Sequence, residues 1–290
     1  MKKIIKKIVN KIFESTNKRI TDVEKNISVE MVDTKKCICQ HTQLLSDRLD
    51  DITHQIERLE IKNDEMPLKI NEFKFQEKFV GHYEYWRAKR IVAIVEYYGE
   101  KWFEGKKILE LGSGYGDIGY VFHTLNADVT FAEGRRDNCN YIRNRYPWAK
   151  VYEMNCENEW PFPKDVHYDL ILHMGLLYHL DNIWFCLDKC FECADNIVLE
   201  TEVSDSNDEN YCLKIDENAN GWDQSLIGRG TRPSPNFIEK HISERGWKFD
   251  RVDDSRCNAH FHIYDWKITN SGEWRNGLRR FWFLSRADIQ

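Results

Sequence analysis

The chain has 290 residues, enough for one sizeable domain and an additional segment, and 41% of them are hydrophobic, enough for a packed core. Its formal net charge of −6 argues against a large nucleic-acid partner, because proteins that live on phosphate backbones carry a basic footprint. Nine cysteines without a paired framework, no apolar run long enough to span a membrane and no secretory-type apolar core near the N-terminus point to a reducing, cytoplasmic setting.

Residues 1–66 contain neither Gly nor Pro and are expected to form a long helix. Ile20, Val23 and Ile27, then Ile38, Leu45, Leu49, Ile52, Ile56 and Leu59, fall at helical and heptad-like steps. Thr34, Lys35 and His41 interrupt the seam, so two readings stand: a self-associating coiled coil, or a helix packed on its own domain. Residues 1–13 pattern as a basic amphipathic helix, with Ile4, Ile5, Ile8, Val9, Ile12 and Phe13 opposite Lys2, Lys3, Lys6, Lys7 and Lys11. That face suits a membrane surface, or the tip of the oligomerising helix. Asp64-Glu65-Met66-Pro67 ends the helical pattern, dividing the chain into a stalk at 1–66 and a domain at 67–290.

Beyond the linker a helix is expected in EYWRAKRIVAIVEYY, after which short apolar runs alternate with helical spacing. KKILELG, DVTFAEG, KVYEMN, YDLILHMG and NIVLETEV read as five strands, and RRDNCNYIRNRYP and DNIWFCLDKCFECA as helices between them. Such alternation predicts an α/β fold with a parallel sheet covered on both faces. Ser234, Pro235 and Gly246 bracket a further helix, and KFDRV and RRFWFLSRA read as two closing strands.

The first strand ends in Glu110-Leu111-Gly112-Ser113-Gly114-Tyr115-Gly116. Glycines let the backbone approach a ligand closely, the following helix offers free N–H groups, and Glu133 closes the second strand where a carboxylate can hold ribose hydroxyls. Gly114, Gly116 and Gly119 also match the dinucleotide pattern G-x-G-x-x-G, but in that register Gly112 and Ser113 fall within the strand. Starting the turn at Gly112 instead, E-L-G-S-G-Y-G resembles motif I of the class I S-adenosylmethionine-dependent methyltransferases. That resemblance implies a Rossmann-like seven-stranded sheet of order 3-2-1-4-5-7-6 with strand 7 antiparallel. It implies S-adenosylmethionine as cofactor, Glu133 on its ribose, Asn155 and Cys156 near its adenine, and His173, Met174 and Gly175 beneath its methionyl part. Tyr83 and Arg87 could meet its carboxylate.

GLLYH, IVLETEVSD, PSPNFIEKHISERGW and LRRFWFLSRA are similar to the transferases that modify tRNA wobble uridine with carboxy-S-adenosylmethionine. In that comparison Tyr178 and Arg280 match a Tyr and an Arg that hold the extra carboxylate, and Arg87 stands where a Lys is expected. The resemblance therefore implies methyl transfer, with carboxymethyl transfer, tRNA among its acceptors, as the alternative; the expected methyl acceptor is an oxygen, or alternatively a nitrogen, of a small molecule or glycan, the glycan resting on aromatic content and acidic charge. A coiled-coil scaffold carrying an inactive transferase domain is the reading from a different class.

His179 is the candidate general base, Tyr178 its neighbour, and Glu200 and Glu202 lie at the end of the fifth strand. HFHIYDW places His260, His262, Tyr264 and Trp266 as lining for the acceptor, with Glu202 and Arg280. The segment from Ser204 to Arg232 is expected to cap it. Cys186, Cys190 and Cys193 copy a cluster-binding spacing, yet on a helix they fall on one face with its core, so no metal is expected. Aromatic residues, including ten Trp, make up 13% of the chain; in a cleft they suit a ring-shaped, sugar-like or base-like substrate, although most belong to the core.

Overall fold

The computed structural model describes residues 82–286 except 222, 260 and 272–276, together with Lys18 and Thr21, both helical; of 82–85 it describes the backbone alone. The expectations of a stalk, a coiled coil, a basic amphipathic tip and a linker at 64–67 lie outside the described residues.

The strands are β1 (Lys107–Leu111), β2 (Asp128–Glu133), β3 (Lys150–Glu153), β4 (Tyr168–Met174), β5 (Ala194–Glu202), β6 (Cys212–Asp216), β7 (Arg229–Pro233), β8 (Trp247–Arg251) and β9 (Arg279–Arg286). The helices are α1 (His82–Tyr98), α2 (Asp117–Thr124), α3 (Arg136–Arg145), α4 (Ile183–Cys193) and α5 (Pro235–Glu244). Seven strands form one sheet in the order β3-β2-β1-β4-β5-β9-β8. The first five are parallel, and β9 runs antiparallel to both β5 and β8. This is the expected order, with β8 and β9 in the places of strands 6 and 7. The reversed strand distinguishes it from an all-parallel dinucleotide-binding sheet.

β1, β4, β5 and β9 are buried on both faces, which is why their sequences read as continuous apolar runs. Ile108, Leu170, Leu172, Val198 and Phe281 pack on one face; Leu109, Leu111, Ile171, Leu199 and Trp282 pack on the other. Each such side chain, fully buried, contributes about 1.5–3 kcal/mol. α1 turns Trp86, Arg90, Ile91, Ile94 and Val95 inward at helical spacing, setting an aromatic ring and a guanidinium one turn apart. α5 begins as expected, with the Ser234 hydroxyl accepting from Phe237 N–H at 3.0 Å and Pro235 in its first turn.

Three features depart from the sequence-based expectation. β6 and β7 form a separate antiparallel hairpin within the segment expected to cap the acceptor. Tyr178 and His179 lie in a three-residue 3-10 turn, Leu177–His179, ahead of α4. HFHIYDW makes no strand; it contributes isolated bridges, Ala259 to His262 and Ile263 to Leu278.

Candidate functional site

β1 delivers the glycine turn to the carboxyl end of the sheet. Gly112, Gly114 and Gly116 have φ of 61°, 56° and 73°, a left-handed conformation that disfavours side chains. A Cβ at Gly112 would sit 2.9 Å from Leu176 Cδ1. Gly119 serves differently. It lies inside α2, its N–H donates to Glu110 Oε2 at 2.9 Å, and a Cβ there would come within 2.6 Å of that oxygen and of Phe131 Cε1. It is a packing position that lets α2 sit close on β1 and β2.

Two buried carboxyl groups frame the turn. Glu110 is pushed up to about 8 by burial, against the opposing pull of the Gly119 N–H and the Arg87 guanidinium. Glu133, closing β2, is also raised by burial, while backbone donors hold it the other way. Its Oε2 accepts from Gly114 N–H at 2.8 Å, and its Oε1 from Arg135 N–H at 2.8 Å and Asn138 Nδ2 at 3.4 Å. The acid and the glycine backbone are thus locked together, at the spacing that presents donors and a carboxylate to one ligand.

A cavity of about 380 Å³ opens over this turn, a size suited to a small ligand. Gly112, Ser113, Gly114, Glu133, Asn155 and Cys156 line one side of it, and Trp86, Arg90, Tyr178, His179, Glu202, Arg232, Phe261, His262 and Arg279 line another. Asp223, Gln224, Ser225 and Leu226 reach it from the loop between β6 and β7.

Beneath the second group lies a buried polar network. Arg90 Nη1 bonds Glu200 Oε2 at 2.8 Å, and Arg279 Nη1 bonds Glu200 Oε1 at 3.1 Å. Two guanidinium groups therefore share one carboxylate, and Glu202 adds a second negative charge beside Arg279. Both stack over the Trp86 ring, at 3.7 and 4.5 Å. Trp86 Nε1 donates to Tyr264 Oη at 2.5 Å, Tyr264 Oη donates to Glu200 Oε1 at 2.9 Å, and the Trp86 ring stacks on His262 at 4.0 Å. Arg279 Nη2 also donates to Tyr178 Oη at 3.2 Å. Burial pushes the Tyr178 hydroxyl up to about 12, so it stays protonated near neutral pH.

His179 Nδ1 lies 2.6 Å from Glu217 Oε2, just beyond β6. Ser225 N–H donates to the same oxygen at 2.9 Å, and Arg232 Nη1 meets Glu217 Oε1 at 3.3 Å while its Nε pairs with Glu202. Burial opposes the Glu217 charge, yet these donors hold its carboxyl below the ordinary range.

Of the residues expected at the site, Arg87, Glu110, Gly112, Ser113, Gly114, Glu133, Asn155, Cys156, Met174, Gly175, Tyr178, His179, Glu202 and His262 line the cavity. Arg87 does so while paired with Asp117 at 3.0 Å, which also binds Arg145 at 2.8 Å. The His260 position and the Tyr83 side chain lie outside the described residues.

Five of the expected residues do not line the cavity. Gly116 caps α2 and packs beside Phe131 and Tyr146 instead of facing the cavity. His173 points to the face of β4 opposite Met174, because strand side chains alternate; it is fully buried, and burial holds it down to about 4, as neutral imidazole. Tyr264 is a buried member of the Glu200 network. Trp266 donates to the Arg279 carbonyl at 3.0 Å. Arg280 turns away from the cavity, donating to the carbonyls of Tyr264 at 2.7 Å and Trp266 at 2.8 Å and stacking on Trp266. Its neighbour Arg279 occupies the inward position. Arg90, Arg232, Arg279 and Glu217 were not foreseen as site residues. The one sequence signal for any of them was the paired arginine at 279–280, read one residue out of phase.

No protein-family model matches the chain, and no curated protein matches it by sequence. Solved structures do. The N-terminal domain of EvdMO1 in the presence of S-adenosylhomocysteine and D-fucose superposes with a TM-score of 0.54 at 16% identity, covering 81% of this chain and 97% of that one. The same domain with S-adenosylhomocysteine bound gives 0.54 at 17% identity over the same shares. The likeness is one of fold: the chain has the Rossmann-like architecture of the class I S-adenosylmethionine-dependent methyltransferases.

Proposed function

We propose that the chain is an S-adenosylmethionine-dependent methyltransferase acting on an oxygen, or alternatively a nitrogen, of a small molecule or glycan. The observation that carries this reading is the left-handed Gly112–Gly114 turn tied by its own backbone to Glu133. The residues fit the cofactor: Gly112, Ser113 and Gly114 line the cavity, and Glu133 is a buried acceptor at the end of β2. Glu133 would take the ribose, Asn155 and Cys156 would flank the adenine, and Met174 and Gly175 would lie under the methionyl part. When bound, the cofactor supplies a methyl group already activated by a positive sulfur. The protein's part is then to orient the acceptor in line and accept its proton, and orientation supplies much of the acceleration. His179 would take the proton, with Tyr178 beside it. A sugar accords with the aromatic lining of the cavity, which includes Tyr178 and Phe261, and with the D-fucose of the structural neighbour.

Carboxymethyl transfer from carboxy-S-adenosylmethionine, with tRNA as an acceptor, is the second reading. The Arg279 guanidinium and its hydrogen bond to the Tyr178 hydroxyl favour it, since donors of this kind would suit a carboxylate. The intact glycine turn and Glu133 speak against an inactive scaffold. Self-association through residues 1–66, membrane-surface contact of residues 1–13 and a cytoplasmic location complete the proposal; sedimentation and vesicle flotation of the full chain test the first two.

Native mass spectrometry of the purified chain, followed by analysis of any released small molecule, tests the main reading. S-adenosylmethionine or its demethylated product supports it, and the carboxylated form transfers the assignment to the second reading. Titration calorimetry with S-adenosylhomocysteine gives a second test: wild type binds and Gly114→Arg does not, because Gly114 is left-handed and faces the cavity. Binding retained by Gly114→Arg would sink the assignment.

A further inference from the structure

We propose that Glu217 is the positioning residue that fixes the His179 ring so that Nε2, not Nδ1, takes the acceptor's proton; this rests on the transferase reading. Three donors converge on the Glu217 carboxylate: His179 Nδ1 at 2.6 Å, Ser225 N–H at 2.9 Å and Arg232 Nη1 at 3.3 Å. Its side chain is 4% exposed, so water does not compete for those oxygens. A carboxylate bound in this way accepts only, so the hydrogen on the His179 ring sits on Nδ1. Nε2 then keeps its lone pair and carries no hydrogen bond among the described residues.

Proton transfer is balanced in that arrangement. The acceptor oxygen gains the methyl carbon, the carbon–sulfur electron pair passes to sulfur, and the O–H proton goes to Nε2. The imidazolium so formed is stabilised by the carboxylate across the ring.

The loop that carries Glu217 is fastened to the opposite side of the cavity. Arg135, whose backbone N–H bonds Glu133, extends its guanidinium to the carbonyls of Ala219 at 3.2 Å, Gln224 at 2.8 Å and Ser225 at 3.3 Å. Ser225 in turn donates to Glu217. Glu133 and His179 are thereby joined through one loop, and the ring orientation depends on that loop being seated.

The test uses the full chain labelled with nitrogen-15 and long-range proton–nitrogen correlation of the histidine rings, with the His179 signals assigned by their loss in His179→Gln. The neutral wild-type ring is expected with hydrogen on Nδ1. Glu217→Ala should shift it toward the Nε2–H form, and Glu217→Gln, whose carbonyl oxygen still accepts, should restore Nδ1–H. Binding of S-adenosylhomocysteine is followed by calorimetry in parallel, and the variants are expected to keep affinity within about threefold. An Nε2–H ring in wild type, or a ring unchanged in a folded Glu217→Ala, overturns the proposal; the wild-type spectrum decides even if that variant does not fold. Failure of the wild type to bind S-adenosylhomocysteine would instead overturn the transferase reading, and the catalytic role of the pair with it, whatever the spectrum.

Discussion

Replacing Glu110 by Gln should raise stability, and the gain should grow with pH. Glu110 is buried beneath the glycine turn, with one N–H donor, from Gly119, at 2.9 Å. Burial pushes its carboxyl up to about 8 from an ordinary value of 4.5. Between those values the folded protein holds a proton that the unfolded chain has lost, so folding takes up a proton. The stability contributed by this group is full below the ordinary value and is lost as pH rises through about 8. The slope is about 1.4 kcal/mol per pH unit, or about 3 kcal/mol between pH 5 and 7.5. Glutamine keeps the carbonyl oxygen that accepts from Gly119 and has no proton to lose. Urea unfolding of both proteins, followed by tryptophan fluorescence at several pH values, should show nearly equal stability at pH 5. The variant should lead by about 3 kcal/mol at pH 7.5. A difference that stays constant with pH would refute the reasoning. A wild type that gains on the variant as pH rises would mean that Arg87 and Arg90 hold Glu110 ionised.

Gly119→Ala should cost about 1–3 kcal/mol, seen as a melting temperature lower by about 2–10 °C, because its Cβ would press on Glu110 and Phe131 at 2.6 Å; an unchanged melting temperature would count against the packing role. Glu133→Gln should weaken S-adenosylhomocysteine binding by about ten- to a hundredfold, since a neutral amide is a weaker acceptor for the ribose hydroxyls than a carboxylate; equal affinity by calorimetry would contradict that account. Arg280→Met should lower the melting temperature and leave S-adenosylhomocysteine affinity intact, because Arg280 serves the carbonyls of Tyr264 and Trp266; loss of binding with normal stability would return Arg280 to the site.

The parallel half of the sheet was readable because its strands are short apolar runs separated by helical spacing. Glu110 and Glu133 were readable because chain distance to a glycine turn is a one-dimensional quantity. Faces were not. β4 and β9 are buried on both sides, so no polar side marks the phase of the alternation, and His173 and Arg280 were assigned to the wrong face for that reason. The β6–β7 hairpin escaped notice because CLKID is short and largely half-exposed, while RGTRP, buried beyond Arg229, is polar and carries Gly and Pro. Glu217 meets His179 across 38 residues and Trp86 meets Tyr264 across 178. No local pattern encodes such meetings; they follow from where the sheet sets the chain.

The interior place of β9 bears on how the chain is assembled during synthesis. β8 bonds to β9 alone within the sheet, and β5 has β9 as its outer partner. A nascent chain that has emerged only as far as residue 251 therefore carries β8 without a neighbour and leaves the edge of β5 bare, the kind of surface that recruits other chains. The same late strand brings Arg279 to Glu200 and Tyr178. Sealing the sheet and completing the cavity are a single event, so intermediates halted before β9 expose adhesive edges while still lacking a ligand that could rescue them.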